Sequence, residues 1–138
     1  MRFNHVTLDV ADLERSKAFY EALGLVQIVD SPPRYARFVF PDGDATLSVE
    51  VTGETTAGPP SAQLFFECDA LDETVAALKS KGLVFDQDPT DMFYLWREAH
   101  LRDPDGHDVR LYYAGENRLN PPWKLTEQDG AAASPGDA

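Results

Sequence analysis

Two stretches of this chain spell the same turn between strand-like segments: "FPDGDATLSVEV" from Phe40 to Val51 and "DPDGHDVRLYY" from Asp103 to Tyr113. A repeated turn constrains the fold only if the sequence before it repeats as well. It does. A shift of 58 residues carries Leu13 onto Leu71, Gly24 onto Gly82 and Leu25 onto Leu83, and a shift of 63 carries Pro41 onto Pro104 and Gly43 onto Gly106. Self-similarity of this span marks a duplicated supersecondary unit.

The periodicity says what the unit is. "RFNHVTLDV" alternates Phe3, His5, Thr7 and Asp9 against Asn4, Val6, Leu8 and Val10, which predicts a strand with one apolar face and His5 on the other. "DLERSKAFYEALGL" places Leu13, Ala18, Phe19, Ala22 and Leu23 at helical spacing, with Asp12 as N-cap and Gly24 as the stop. "VQIVD", "YARFVF" and "ATLSVEV" read as three further strands, separated by "SPPR" and "PDGD". After the Gly-, Pro- and Thr-rich connection Thr52 to Ser61 the order recurs, with strands at "AQLFFEC", "VFDQD", "FYLWREAHLR" and "DVRLYY" and a helix at "ALDETVAALKSKGL". The expected fold is therefore α+β: two βαβββ modules, residues 1–52 and 61–113, whose strands form curved mixed sheets around a cavity in one domain spanning 1–113. Residues 114–138 follow as an extension. "AGENRLNPPWKL" is expected to pack back through Trp123, and "TEQDGAAASPGDA" has the composition of a disordered tail.

The 138 residues suit one domain with a real core. A formal net charge of -12, without a basic cluster to override it, excludes nucleic acid and anionic membrane as partners. Cys68 is the only cysteine, so an internal disulfide and a multi-cysteine metal site are both excluded. Met1 leads directly into patterned sequence with no apolar signal segment, which makes the cytoplasm the expected location.

The histidine-bearing first strand in "HVTLDVADLERSKAFYEALGL" and the closing hairpin "DPDGHDVRLYY" resemble the vicinal oxygen chelate superfamily, over about residues 1 to 113. That superfamily includes lactoylglutathione lyase (glyoxalase I), bleomycin and fosfomycin resistance proteins, and extradiol dioxygenases. The resemblance implies a divalent metal ion held from the first and last strands of each module, chelating two neighbouring oxygens of a small-molecule substrate. It also implies a homodimer. Carried onto this sequence, the ligand positions fall on His5, on Glu50 with Ser48 as the other register, on Gln63 (His5 shifted by 58) and on Arg110 (four residues after Gly106). His5 and Glu50 are the metal-ligand candidates. Gln63 offers only a neutral oxygen and Arg110 is a cation, so both depart from the ligand set and are read as substrate-binding residues.

In "FYLWREAHL", Tyr94, Trp96, Glu98 and His100 alternate with Phe93, Leu95, Arg97, Ala99 and Leu101, and periodicity does not say which set faces inward. If the first set does, Trp96 joins Tyr112 as substrate-binding wall, and Glu98 joins Glu50 as a candidate catalytic proton carrier. His107 is read as a turn residue. Two functions fit. One is a metal-dependent enzyme resembling lactoylglutathione lyase, acting on a substrate with neighbouring oxygens; the other is a metal-free drug- or small-molecule-binding protein of the bleomycin-resistance type. His5 and Glu50 speak for the first, Gln63 and Arg110 for the second.

Overall fold

A computed structural model of the chain describes residues 2–53 and 62–125. Most of the expected connection and the whole of the expected tail lie outside the described residues. The elements run β1 (His5–Asp9), α1 (Leu13–Ala22), β2 (Val26–Ser31), β3 (Tyr35–Val39), β4 (Thr46–Glu50), β5 (Gln63–Glu67), α2 (Leu71–Ser80), β6 (Phe85–Asp91), β7 (Arg97–Arg102) and β8 (Asp108–Tyr113). The order is βαβββ twice, an α+β fold of two modules. Its strands make two four-stranded sheets, β1-β4-β3-β2 and β5-β8-β7-β6. The first sheet is mixed, because β1 runs parallel to β4 while β3 is antiparallel to both β4 and β2.

Local chemistry starts α1 where the sequence places it. The Asp12 side chain accepts a hydrogen bond from the backbone N–H of Arg15 at 2.9 Å, and Gly24 turns the chain at φ 105°, a conformation that disfavours residues with a Cβ. Replacing Asp12 by alanine is expected to cost about 1 kcal/mol in urea unfolding, the typical worth of an N-cap. The buried stripe differs from the expected one: it is Leu13, Ser16 and Tyr20, while Ala18 is exposed. At 100° per residue Ala18 falls on the far side of the helix from Leu13, and Tyr20 enters the core because its hydroxyl has a buried acceptor there.

That acceptor is Asp103, 2.8 Å away. By compactness the chain forms two units, one made of the residues up to Ala62 together with Arg102–Asp108, the other of Gln63–Leu101 and Val109 onward. The second Pro-Asp-Gly turn thus clusters with the first module. In this unit Asp103 caps its own turn by accepting from the backbone N–H groups of Asp105 and His107 (2.9 and 2.8 Å). Asp105 accepts from the backbone N–H of Ala11 at 2.8 Å and from the Ser16 hydroxyl at 3.3 Å, and Arg15 pairs with it at 3.6 Å. Nε2 of His107 is bonded to the Asp9 carbonyl at 2.8 Å, the structural role expected of a turn histidine. The core of this unit lies between α1 and the apolar sheet face: Leu8, Ala36, Phe38, Leu47 and Val49 are all buried.

In the second unit Leu71, Val75 and Leu78 of α2 are buried, as are Ala99 and Leu101 of β7 and Val109 and Leu111 of β8. The expected long strand beginning at Phe93 is not formed. Residues 92–96 make a turn instead, closed by bonds from the Met92 N–H to the Trp96 carbonyl (2.7 Å) and from the Leu95 N–H to the Met92 carbonyl (3.0 Å). Leu95 sits there at φ 71°. β6 correspondingly runs three residues further than expected, and Pro89 is tolerated because β6 is an edge strand with irregular pairing around it. In the extension the Asn117 carbonyl accepts from Trp96 Nε1 at 3.4 Å, and Trp123 is half-buried. No described helix is long and apolar enough to cross a membrane.

Candidate functional site

Alternation along a strand gives each sheet one face for its helix and one for chemistry. In the first sheet the ladder pairs His5 with Thr46, Thr7 with Ser48 and Asp9 with Glu50, so all six share the second face. His5 is exposed, and both its ring nitrogens are engaged by hydroxyls: Nδ1 with Thr46 Oγ1 at 2.6 Å and Nε2 with Thr7 Oγ1 at 3.0 Å. Ser48 is fully buried and bonded to the Tyr35 hydroxyl at 2.6 Å, which in turn accepts from Arg37 Nε at 2.9 Å.

The register also corrects the pairing of His5 with Glu50. Glu50 lies opposite Asp9, four residues along the ladder from His5. At about 3.3 Å per residue the two stand about 13 Å apart along the strands, too far for one ion to take both. The cause is a loop length. The first turn closes from Phe40 to Ala45 and the second from Asp103 to His107, so the first holds one residue more and the shift drops from 63 to 62 beyond it. On that alignment Ser48, not Glu50, is the counterpart of Arg110.

The second sheet carries the richer face. Glu98 on β7 is fully buried, and three side chains surround its carboxylate. The Tyr94 hydroxyl donates to Oε2 in a short hydrogen bond, His100 Nε2 lies 2.8 Å from Oε1, and an Arg110 guanidinium nitrogen is 3.6 Å from the same oxygen. The 92–96 turn brings Tyr94 back over the strand, where burial and then the Glu98 hydrogen bond push its hydroxyl up to about 12. An aromatic cluster adjoins this group. Trp96 stacks on Tyr112 with ring centres 4.9 Å apart and planes 25° off parallel, and Phe65 meets both edge-on at 5.6 and 5.3 Å. The Arg110 guanidinium lies 5.7 Å from the centre of the Phe65 ring, within cation–π range.

Of the residues singled out in the sequence, Trp96, Glu98, Arg110 and Tyr112 come together here, and Tyr94 and His100 with them. The set whose direction the alternation left open is gathered around Glu98. Gln63 is exposed at the start of β5, on the same alternation as Phe65. Phe65 is a site residue that the repeat arithmetic does not single out, although "QLFFE" places it two residues from Gln63 and so on the same face. Glu50 belongs to the other unit's sheet.

The residues do not fit a divalent ion. Of the four ligand positions only His5 carries a metal-seeking side chain. Gln63 is neutral, Ser48 is buried against Tyr35, and Arg110 brings a fixed positive charge paired with Glu98. Among the described residues, no three His, Cys, Asp or Glu side chains are grouped so that they could hold a metal ion.

The sequence profile of the Glyoxalase/Bleomycin resistance protein/Dioxygenase superfamily matches residues 2–111. The chain belongs to this superfamily. Superfamily folds superpose well on it: a glyoxalase/bleomycin resistance protein/dioxygenase family enzyme from Burkholderia phytofirmans has a TM-score of 0.67 at 21% identity, over 80% of this chain and 97% of that one. A Nocardioides member also has a TM-score of 0.67, at 22% identity and over 83% of each chain. In sequence, a trivalent organoarsenical cleaving enzyme of Bacillus sp. is 26% identical over 132 residues, 88% of this chain and 81% of its own length. Members of the superfamily generally use a divalent metal, commonly act on small molecules and commonly form dimers. Against that background Arg110 is the departure that most changes the chemistry of the site.

Proposed function

We propose that this chain takes a planar, oxygen-bearing small molecule on the second sheet, with Arg110 supplying the positive charge that a metal ion supplies in other members. It does so as a homodimer in the cytoplasm. The observation that carries this reading is Arg110 itself, a guanidinium at the closing-strand ligand position, paired with the buried Glu98 and lying over Phe65, whose ring meets Trp96 and Tyr112. A guanidinium matches two neighbouring oxygens through a pair of parallel N–H donors, and aromatic rings favour a flat partner. A lactoylglutathione lyase-like reaction through His5 and Glu50 loses its support with their separation along β1 and β4. Organoarsenical cleavage gains none from this site. Trivalent arsenic seeks thiolates, and the single cysteine, Cys68, has its thiol pushed up by burial and then by Asp69 and Glu67, away from the thiolate form.

Calorimetry tests the proposal. Wild-type protein is expected to stay silent on titration with manganese(II) and to bind 2-hydroxybenzoate, a flat probe with neighbouring oxygens. Arg110→Glu is expected to weaken that binding by about 10- to 100-fold, the equivalent of one charge-assisted contact. Tight metal binding by wild type that vanishes in His5→Ala would overturn the proposal and restore the metal-dependent reading.

A further inference from the structure

Leu95 holds an unfavourable backbone. Its φ of 71° lies in the left-handed region that residues with a Cβ rarely enter, and such a residue persists where its surroundings over-determine it. Burial is not what holds it, because Leu95 is 48% exposed. From inside the turn, its N–H donates to the Met92 carbonyl at 3.0 Å. From outside, Asn117 grips two successive residues: its side-chain amide donates to the Leu95 carbonyl at 3.5 Å, and its own carbonyl accepts from Trp96 Nε1 at 3.4 Å. Both bonds are long and each alone is weak, but together they fix the turn and the direction of the indole. Asn117 is itself anchored. It ends a single 3-10 turn, Gly115–Asn117, and its N–H donates to the Ala114 carbonyl at 3.0 Å. The N–H groups of Ala114 and Gly115 both donate to Glu67 Oε2, at 3.1 and 3.3 Å. Glu67 alternates with Gln63 and Phe65 along β5, so this anchor shares the sheet face of the aromatic cluster.

Resting on the small-molecule reading of this face, we propose that Asn117 is a positioning residue of the site and sets its selectivity, holding Trp96 as a fixed wall that favours planar aromatic acids over saturated ones. Clipped at Nε1, the indole lies 4.9 Å from the Tyr112 ring with the planes 25° off parallel. Stacking requires a ring face of settled direction, whereas burial of a saturated ring is non-directional and needs only apolar area. Releasing the clip therefore removes the preference for flat ligands and leaves general apolar binding in place. The segment after β8 thereby belongs to the site, although it lies beyond the repeated modules.

Two probes with the same pair of neighbouring oxygens, 2-hydroxybenzoate and 2-hydroxycyclohexanecarboxylate, test this by calorimetry. Wild type is expected to prefer the flat acid. Asn117→Asp keeps the shape but places an acceptor against the Leu95 carbonyl; it is expected to weaken the flat acid about 2- to 10-fold, the equivalent of one aligned aromatic contact, and to leave the saturated acid unchanged. The near-ultraviolet circular dichroism that wild type shows and Trp96→Phe lacks reports the held indole without any ligand, and Asn117→Asp is expected to lose it. Adding Leu95→Asn to Asn117→Asp is expected to restore both the signal and the preference, because asparagine adopts the left-handed region readily and sets the turn without the clip. An Asn117→Asp protein that keeps the preference overturns the proposal, and so does a double variant that recovers neither property. Equal affinity of wild type for the two acids overturns the selectivity while the receptor reading stands. Wild type that binds neither acid removes the receptor reading and this inference with it.

Discussion

Replacing Glu98 by alanine is expected to destabilise the protein by about 3–5 kcal/mol, the usual consequence of removing one partner from a buried ion pair. The loss comes less from the missing contacts than from what stays behind. Arg110 would keep its charge against Phe65, and the Tyr94 hydroxyl and His100 Nε2–H would each lose an acceptor. Glu98→Gln, which keeps the shape and an acceptor oxygen, is expected to lose clearly less. Urea unfolding of the three proteins checks this. A loss below about 1 kcal/mol for the alanine variant would mean that water reaches the three donors freely.

The second large effect belongs to the other unit. Tyr20→Phe removes the hydroxyl bonded to Asp103 while leaving the ring and its packing on Phe38 in place, and is expected to cost about 1.5–3 kcal/mol, the range for a hydrogen bond to a charged group. The same bond has a signature in alkali. Burial first, then the Asp103 carboxylate, raise the Tyr20 pKa above its ordinary value. A raised pKa means that the contribution is complete below the unfolded-state value of about 10 and is lost as pH climbs beyond it. Wild type is therefore expected to lose stability above about pH 10 more steeply than Tyr20→Phe. Unfolding curves at neutral and alkaline pH give both numbers, and parallel pH profiles would rule out Tyr20 as the source.

Most of the fold was legible because it was written twice. Asp12, Gly24, Gly82 and the two Pro-Asp-Gly turns are local signals whose physics does not depend on distant neighbours, and the structure places elements where they indicate. The misses arise where tertiary context decides. The turn at 92–96 contains no glycine, asparagine or proline to announce it, and its positive φ falls on a leucine, so "FYLWREAHLR" read as unbroken strand. Ser48 and Glu50 could not be told apart because alternation puts both on one face, and only the hydrogen bonds that close each turn show which one matches Arg110. Trp96, Glu98, Arg110 and Tyr112 were visible as residue types with a use. Their convergence was not, since it depends on the same unannounced turn that carries Tyr94 back to Glu98.

One consequence follows from where Asp103 and Asp105 are encoded. They cap, bond and charge-balance the helix of the first module, yet they are written in the second. An ancestral single module would have had to supply such aspartates to itself or to a twin. In this chain the first copy has given up that independence, so its later drift is tied to a loop some ninety residues away, as in the 94-residue span from Ala11 to Asp105. Duplication here has made the first copy depend on a turn that the second copy supplies.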